Sequence, residues 1–297
     1  MNRMGTQLHN EVSAEAPIAE LCELLRETYG KDISGYDVAF LARSLAKRVA
    51  GTGAMSASDY LRRLVEDRSE ADGFFDFLNI TYSDFFRSPL TFGHLEQLLL
   101  PNLLIEVARA GRAELRVWVA GCAAGQEAWS VAMLLEDLAA ARGHSLPFRI
   151  IATDISEAGL ALARAGTYDQ RAMQNVRLRH LREYFLKKGE TYTVGPLLRS
   201  HVEFSRYDLL DERSICPPTS LYGDFDLILC CNLLFYYRAD HLQRILDKLC
   251  RALAPDGYFV TGEAEREAVA NHPGFRSVVL PAAAYLADPN AIKKVRK

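Results

Sequence analysis

The sequence predicts an α/β protein: a small all-helical N-terminal domain, then a doubly wound, mostly parallel sheet with a small insertion. Three observations carry that prediction. Residues 16–72 show helical apolar spacing and offer no strand. After Leu115, short apolar runs alternate with helix-forming stretches, as in βα units whose sheet is covered on both faces. The first run ends in the loop Gly121-Cys-Ala-Ala-Gly125 and the second in Asp154, where such sheets bind a nucleoside-bearing ligand.

The elements follow in order. Residues 1–15 read as a polar, frayed leader. Ile18, Leu21, Cys22, Leu24 and Leu25 recur near a 3.6 period. Phe40, Leu41, Leu45 and Val49 form a second stripe, stopped by Gly51-Thr52-Gly53. Ser56 to Asp59 offers an N-cap for a third helix carrying Tyr60, Leu61 and Leu64. Aromatic and polar residues alternate from Phe74 to Arg87, and a helix is expected over Pro89–Val107. Strands are predicted at 115–120, 148–153, 201–205, 225–231 and 258–263, and helices at 126–141, 156–164 and 240–252. Residues 277–286 suit an edge strand pair, and 167–200 read as an insertion holding a small hairpin. The domains expected are 1–88 and 89–297.

Composition narrows the class. The 297 residues are 49% hydrophobic and 25% charged, ordinary for a globular protein with a sizeable core. The net charge of −3 gives no overall attraction for nucleic acid or an anionic membrane. The N-terminus lacks the apolar stretch of a signal peptide, and no apolar run reaches the ~20 residues that span a bilayer. The six cysteines form no CxxC pair, so reduced, buried thiols, a cytoplasmic setting and no bound metal are expected. Residues 1–90 hold 10 Lys and Arg against 14 Asp and Glu, so an anionic partner would have to meet a local patch. Arg43 and Lys47, with Arg48 adjacent, supply one on the second helix; the plainer reading is a solvated face.

The motifs point to a cofactor. Gly121–Gly125 lacks the third glycine of a dinucleotide loop. Glu127 would sit in the first turn of the following helix and repel a pyrophosphate there. A ligand with a cationic group fits better, and S-adenosylmethionine carries an ammonium and a sulfonium and no phosphate. Glu127 serves equally as a simple helix-start acid. Asp154 stands where an acid accepts from ribose hydroxyls; otherwise it caps the next helix, a task open to Ser156. Asn232 ends the strand 225–231 at a ligand-facing position or serves turn chemistry. Tyr236 and Tyr237 fit a site or a core. Arg87, beside Phe85, Phe86 and Pro89, either stacks at the surface or faces an anion.

These pieces, in this order, resemble the CheR family of S-adenosylmethionine-dependent methyltransferases, which esterify glutamate side chains of bacterial chemoreceptors. The likeness runs from about residue 17 to 288. It includes the segment ending in Phe85-Phe86-Arg87, GCAAGQEAWS at 121–130, ATDIS at 152–156, ARAGTY at 163–168, DFDLILCCNLLFYY at 224–237 and LAPDGYFVTGEAE at 253–265. The resemblance implies a Rossmann-like class I methyltransferase fold and S-adenosylhomocysteine as product. It places Thr81, Ser83 and Arg87 at the cofactor, with Gly121 in the loop, Glu127 near the methionine ammonium and Asp154 on the ribose. Asp208 and Leu209 fall beside the adenine, and Asn232 with Leu233 on the family's Cys-Arg-Asn stretch. Arg87 and Tyr236 fall nearest the transferred methyl, as catalytic residues. The implied partner is a chemoreceptor-like protein, met through Arg43, Lys47 and Arg48 by a monomeric enzyme.

The chain departs from the family at Cys231, which replaces an arginine, at Thr81 and Ser83, and at Gln126 and Ala128. The competing functions are therefore a degenerate S-adenosylmethionine-binding regulator and a methyltransferase for another protein or small-molecule acceptor. A nicotinamide-dependent reductase is opposed by Glu127, and a nucleic-acid acceptor by charge.

Overall fold

The computed structural model describes residues 4–79, 83–142, 147–220, 223–279 and 282–288. The chain divides into two units, residues 1–80 with 235–241, and residues 81–234 with 242–297.

The first unit holds helices α1 (Met4–Tyr29), α2 (Val38–Thr52), α3 (Ala57–Glu66) and α4 (Arg68–Leu78). Their ends follow local chemistry. Asp37 caps α2 by accepting from the Phe40 amide, and Gly53 closes it in the left-handed region, as its sequence signals require. Ser56 caps α3, and Asp67 caps α4. Buried Leu21, Leu25, Leu41, Tyr60, Leu64 and Phe74 form the core. The helix begins at Met4 where a leader was expected, and α4 occupies part of the aromatic-polar stretch. Residues 235–241 belong to this unit: Tyr237 stacks on Tyr36 and bridges to it, and the Tyr236 ring lies 4.7 Å from Phe40.

The second unit opens with α5 (Pro89–His94), a π-helical turn (Leu95–Leu99) and α6 (Leu100–Arg109), where a single helix was expected. Then come β1 (Leu115–Ala120), α7 (Gln126–Arg142), β2 (Phe148–Asp154) and α8 (Glu157–Ala165). The insertion is more than a hairpin: β3 (Thr167–Asp169), α9 (Leu178–Tyr184), β4 (Phe185–Lys188), β5 (Thr191–Val194) and α10 (Pro196–Arg199), with strand order β3-β5-β4. The main sheet resumes with β6 (Val202–Arg206) and β7 (Phe225–Cys230), followed by a 3-10 turn (Leu234–Tyr236) and α11 (Ala239–Ala252). It ends with β8 (Leu253–Thr261), a 3-10 turn (Glu263–Glu265), α12 (Arg266–Ala270), β9 (Phe275–Val279) and β10 (Ala284–Ala287).

The seven-stranded sheet runs β6-β2-β1-β7-β8-β10-β9. Strands β6 to β8 are parallel, and β10 and β9 pair antiparallel as the expected edge strands. The central strands are buried on both faces, which explains their unbroken apolar runs. Chain order turns back between β1 and β7, so the crevice at their carboxyl ends is where this architecture receives a ligand.

Candidate cofactor site

The loop after β1 is shaped by its glycines. Gly121 adopts φ 74° and Gly125 φ 90°, both in the region that side chains avoid. A Cβ on Gly121 would lie 2.6 Å from Leu233 Cδ2, and one on Gly125 2.8 Å from Ala163 Cβ. Gly121 therefore admits Leu233 from the β7 loop, and Gly125 lets α8 approach. Between them Ala123 sits at φ 48°, its amide donating to Asp154 Oδ2 at 2.8 Å. This loop thus lines the crevice between β1 and β7.

Asp154 ends β2 with both oxygens engaged, Oδ2 by Ala123 and Oδ1 by the Ser156 amide at 2.8 Å. Ser156, not Asp154, caps α8, accepting from the Gly159 amide. The acid ties the glycine loop to the second strand, a tie that sequence reading did not find. Each carboxylate oxygen keeps a lone pair for a ligand hydroxyl. Burial raises the Asp154 carboxyl above its ordinary value, against the pull of the Ser156 and Ala123 amides.

Glu127 lies in the first turn of α7, as its position predicts. Burial pushes its carboxyl up to about 7. A hydrogen bond from the Cys231 thiol and the charge of Arg87 pull it down, while the Glu265 carboxylate pushes it further up. Cys231 has its own thiol raised well above the usual range, by burial first and then by Glu127 and Glu265. Beside Glu127, the Gln126 side-chain oxygen is buried with no hydrogen-bond partner.

The other expected residues distribute as follows. Arg87 is exposed, directly after Phe86, which adopts φ 51°. That strained backbone is held by the Phe86 amide donating to Ser130 Oγ at 3.1 Å and by ring contacts with Phe92 and His180. Phe85 is fully buried against Tyr168 and Phe185. Ser83 is half-buried, and Thr81 lies outside the described residues. Asp208 is exposed and accepts from the Leu210 amide, while Leu209 is buried. Asn232 adopts φ 59°, consistent with its tolerance of the left-handed region. Tyr236 is placed with the helical unit, packed on Phe40. Of the three basic residues expected to meet a partner, Arg43 and Lys47 are exposed. Arg48 is not part of that face: it is half-buried and ion-paired with Glu70, which also accepts from the Tyr60 hydroxyl.

None of the six cysteines is in a disulfide among the described residues. Among the described residues, no group of three or more His, Cys, Asp or Glu is placed to hold a metal ion, and no helix is long and apolar enough to cross a membrane.

A doubly wound sheet with a glycine loop, an acid at the end of β2 and a half-buried acid where a phosphate would need cations defines a nucleoside-binding transferase of the S-adenosylmethionine type. Residues 81–280 match the model of the CheR methyltransferase S-adenosylmethionine-binding domain, and residues 16–78 that of the CheR methyltransferase all-alpha domain. The chain belongs to the CheR methyltransferase family. It is 30% identical over 244 residues to a chemotaxis protein methyltransferase of Listeria monocytogenes, covering 82% of this chain and 87% of the relative. It is 31% identical over 246 residues to chemotaxis protein methyltransferase 1 of Pseudomonas aeruginosa, covering 81% and 86%. The solved N-methyltransferase NodS of Bradyrhizobium japonicum, bound to S-adenosylhomocysteine, covers 65% of this chain and 69% of its own at 16% identity, with a TM-score of 0.30.

The site's own features fit the cofactor. Gly121 leaves a cradle that a Cβ would fill, Gln126 offers an orphaned acceptor oxygen, and Glu127 offers a carboxylate at the start of α7.

Proposed function

We propose that this protein methylates glutamate side chains of a chemoreceptor-like signalling protein, using S-adenosylmethionine. The single observation that carries the reading is the half-buried Glu127 carboxylate beside the glycine loop, with Arg87 close enough to act on its charge. An acid there suits an ammonium and opposes a phosphate. The family relatives, named chemotaxis protein methyltransferases, direct the reading to receptor glutamates.

S-adenosylmethionine supplies an electrophilic methyl group on a sulfonium. Glu127 holds the methionine ammonium, Asp154 accepts from the ribose, and Asp208 with Leu209 bounds the adenine. Ser83, Asn232 and Leu233, with Gly121, complete the cofactor contacts. Arg87 orients the incoming carboxylate, and Tyr236 hydrogen-bonds it. A glutamate acceptor, with pKa about 4.3, is already ionised near neutral pH, so no general base is needed. The chain's contribution is alignment, worth up to about 7–11 kcal/mol in well-oriented reactions. The exposed pair Arg43 and Lys47 meets the receptor, and the protein acts as a cytoplasmic monomer.

The test is transfer of labelled methyl to a receptor cytoplasmic fragment, with base treatment of the product. Base-labile label that disappears in Arg87→Ala, with S-adenosylhomocysteine binding largely kept, supports a carboxyl ester and a catalytic Arg87. Base-stable label would refute glutamate as acceptor.

Cys231 favours one second reading. A thiol stands where the family has arginine, and it donates to Glu127. A regulator that binds the cofactor without transferring methyl would show saturable binding and no labelled product with any receptor fragment.

A further inference from the structure

We propose that Glu265 is a positioning residue for the methionine end of the cofactor: its buried carboxylate clasps the loop that carries Asn232 and Leu233. The inference rests on the cofactor reading above and extends it to a residue 33 positions beyond Asn232.

Glu265 is 2% exposed, yet its acceptor capacity is filled by neutral donors. Oε1 accepts from the amides of Leu233 at 2.7 Å and Leu234 at 2.5 Å. Oε2 accepts from the amides of Asn232 at 2.8 Å and Gly262 at 2.9 Å, with the Thr261 hydroxyl at 2.8 Å. Three successive amides converging on one anion form a nest, the geometry that elsewhere binds a phosphate. Here the chain's own carboxylate occupies it, at the carboxyl end of β7. Among the described residues no salt bridge of Glu265 is found, so four amides and one hydroxyl balance its charge.

The clasp controls what faces the crevice. It holds Asn232 in its left-handed backbone, at φ 59°. Asn232 Nδ2 then lies where a Cβ on Gly262 would be 2.9 Å away, so Gly262 makes room for that amide. Leu233 is turned into the space left by Gly121. One carboxylate thereby sets two side chains expected at the cofactor and the wall of the glycine loop.

The same charge reaches Glu127. The groups acting on Glu127 are the Cys231 thiol, the Glu265 carboxylate and Arg87, and the buried thiols of Cys122 and Cys230 also feel its charge. Of these, Glu265 alone adds a like charge to Glu127. A residue that merely stabilised the fold would leave the ionisation of Glu127 where it was.

The experiment is calorimetric titration of the full chain with S-adenosylhomocysteine from pH 5.5 to 8.5, for wild type, Glu265→Gln and Glu265→Asp. A carboxamide has one acceptor oxygen, so at least two of the five donors would face its NH2. Glu265→Gln is expected to weaken binding roughly tenfold to a hundredfold. It is also expected to move the pH midpoint of binding downward, because Glu127 loses a negative neighbour. Glu265→Asp keeps the charge and shortens the reach, so affinity falls while the midpoint stays. Unchanged affinity and midpoint in Glu265→Gln, with wild type binding normally, would overturn the inference. If Glu265→Gln does not fold, Gly262→Ala carries the test. Its Cβ would press on Glu265 Oε2 and Asn232 Nδ2 without backbone strain, at φ −71°. Severalfold weaker binding is expected, and unchanged binding would sink the inference. Failure of the wild type itself to bind would refute the cofactor reading, a different outcome from wild-type binding that ignores both variants.

Discussion

Acidification should strip the cofactor from this protein through Glu127. With the Glu127 carboxyl at about 7, the acid is mostly ionised at pH 8 and mostly neutral at pH 6. Only the ionised form pairs with an ammonium. Apparent affinity scales with the competent fraction, so binding of S-adenosylhomocysteine should weaken about tenfold from pH 8 to pH 6. The unliganded protein should show the opposite trend. An acid whose pKa is raised on folding favours the folded state below its unfolded value, and that advantage is lost as pH rises through the folded value. From an ordinary 4.5 to about 7, the loss amounts to about 3 kcal/mol by pH 8. Glu127→Gln should therefore melt higher than wild type at pH 8 and equal it near pH 4.5. It should bind about ten- to a hundredfold more weakly than wild type at pH 8, without the step between pH 6 and 8. Calorimetry and thermal melts across that range, on wild type and the variant, read both trends. Wild-type affinity that is flat from pH 6 to 8, or a step that survives in Glu127→Gln, would refute the reasoning.

Four further outcomes are expected. Asp154→Asn leaves one acceptor oxygen for the Ala123 and Ser156 amides, so stability should fall by about 1–3 kcal/mol, with weaker S-adenosylhomocysteine binding, in urea melts and calorimetry. Gly121→Ala drives a Cβ towards Leu233 and occupies φ 74°, so it should abolish most binding, and adding Leu233→Ala should restore only the steric part. Arg48→Ala removes the partner of Glu70 inside the helical unit and should lower stability by about 1–3 kcal/mol. Arg43→Ala with Lys47→Ala should leave melting unchanged and slow receptor methylation, and equal melting losses in both variants would contradict that assignment.

Much of the fold was legible because its signals are local. Strands β1, β2 and β7 are buried on both faces and therefore appear as apolar runs. The caps Asp37, Ser56 and Ser156 stand beside the helices they start. Helix α4 was also visible in principle, since Ala71, Phe74 and Leu78 keep helical spacing and are buried, but the aromatic alternation around them masked the period. The site was legible only where an acid follows a glycine loop or a strand. Glu265 stands 31–33 residues from the Asn232, Leu233 and Leu234 amides that it holds, and Glu70 is 22 from Arg48, so no local pattern marks either pairing. Phe86 gave no sign of its left-handed backbone, because that conformation is imposed by Ser130, 44 residues on.

Residues 235–241 complete the helical unit although they follow β7. Tyr36 and Tyr237 cannot meet until β1, β2, β6 and β7 of the sheet unit have been synthesised. On a ribosome, the helices that emerge first must wait for their last aromatic partners, and until then Phe40 lacks the ring of Tyr236. The N-terminal part of the chain is made first and finished late. A helical fragment cut at residue 80 should consequently be less stable than the same helices in the full chain.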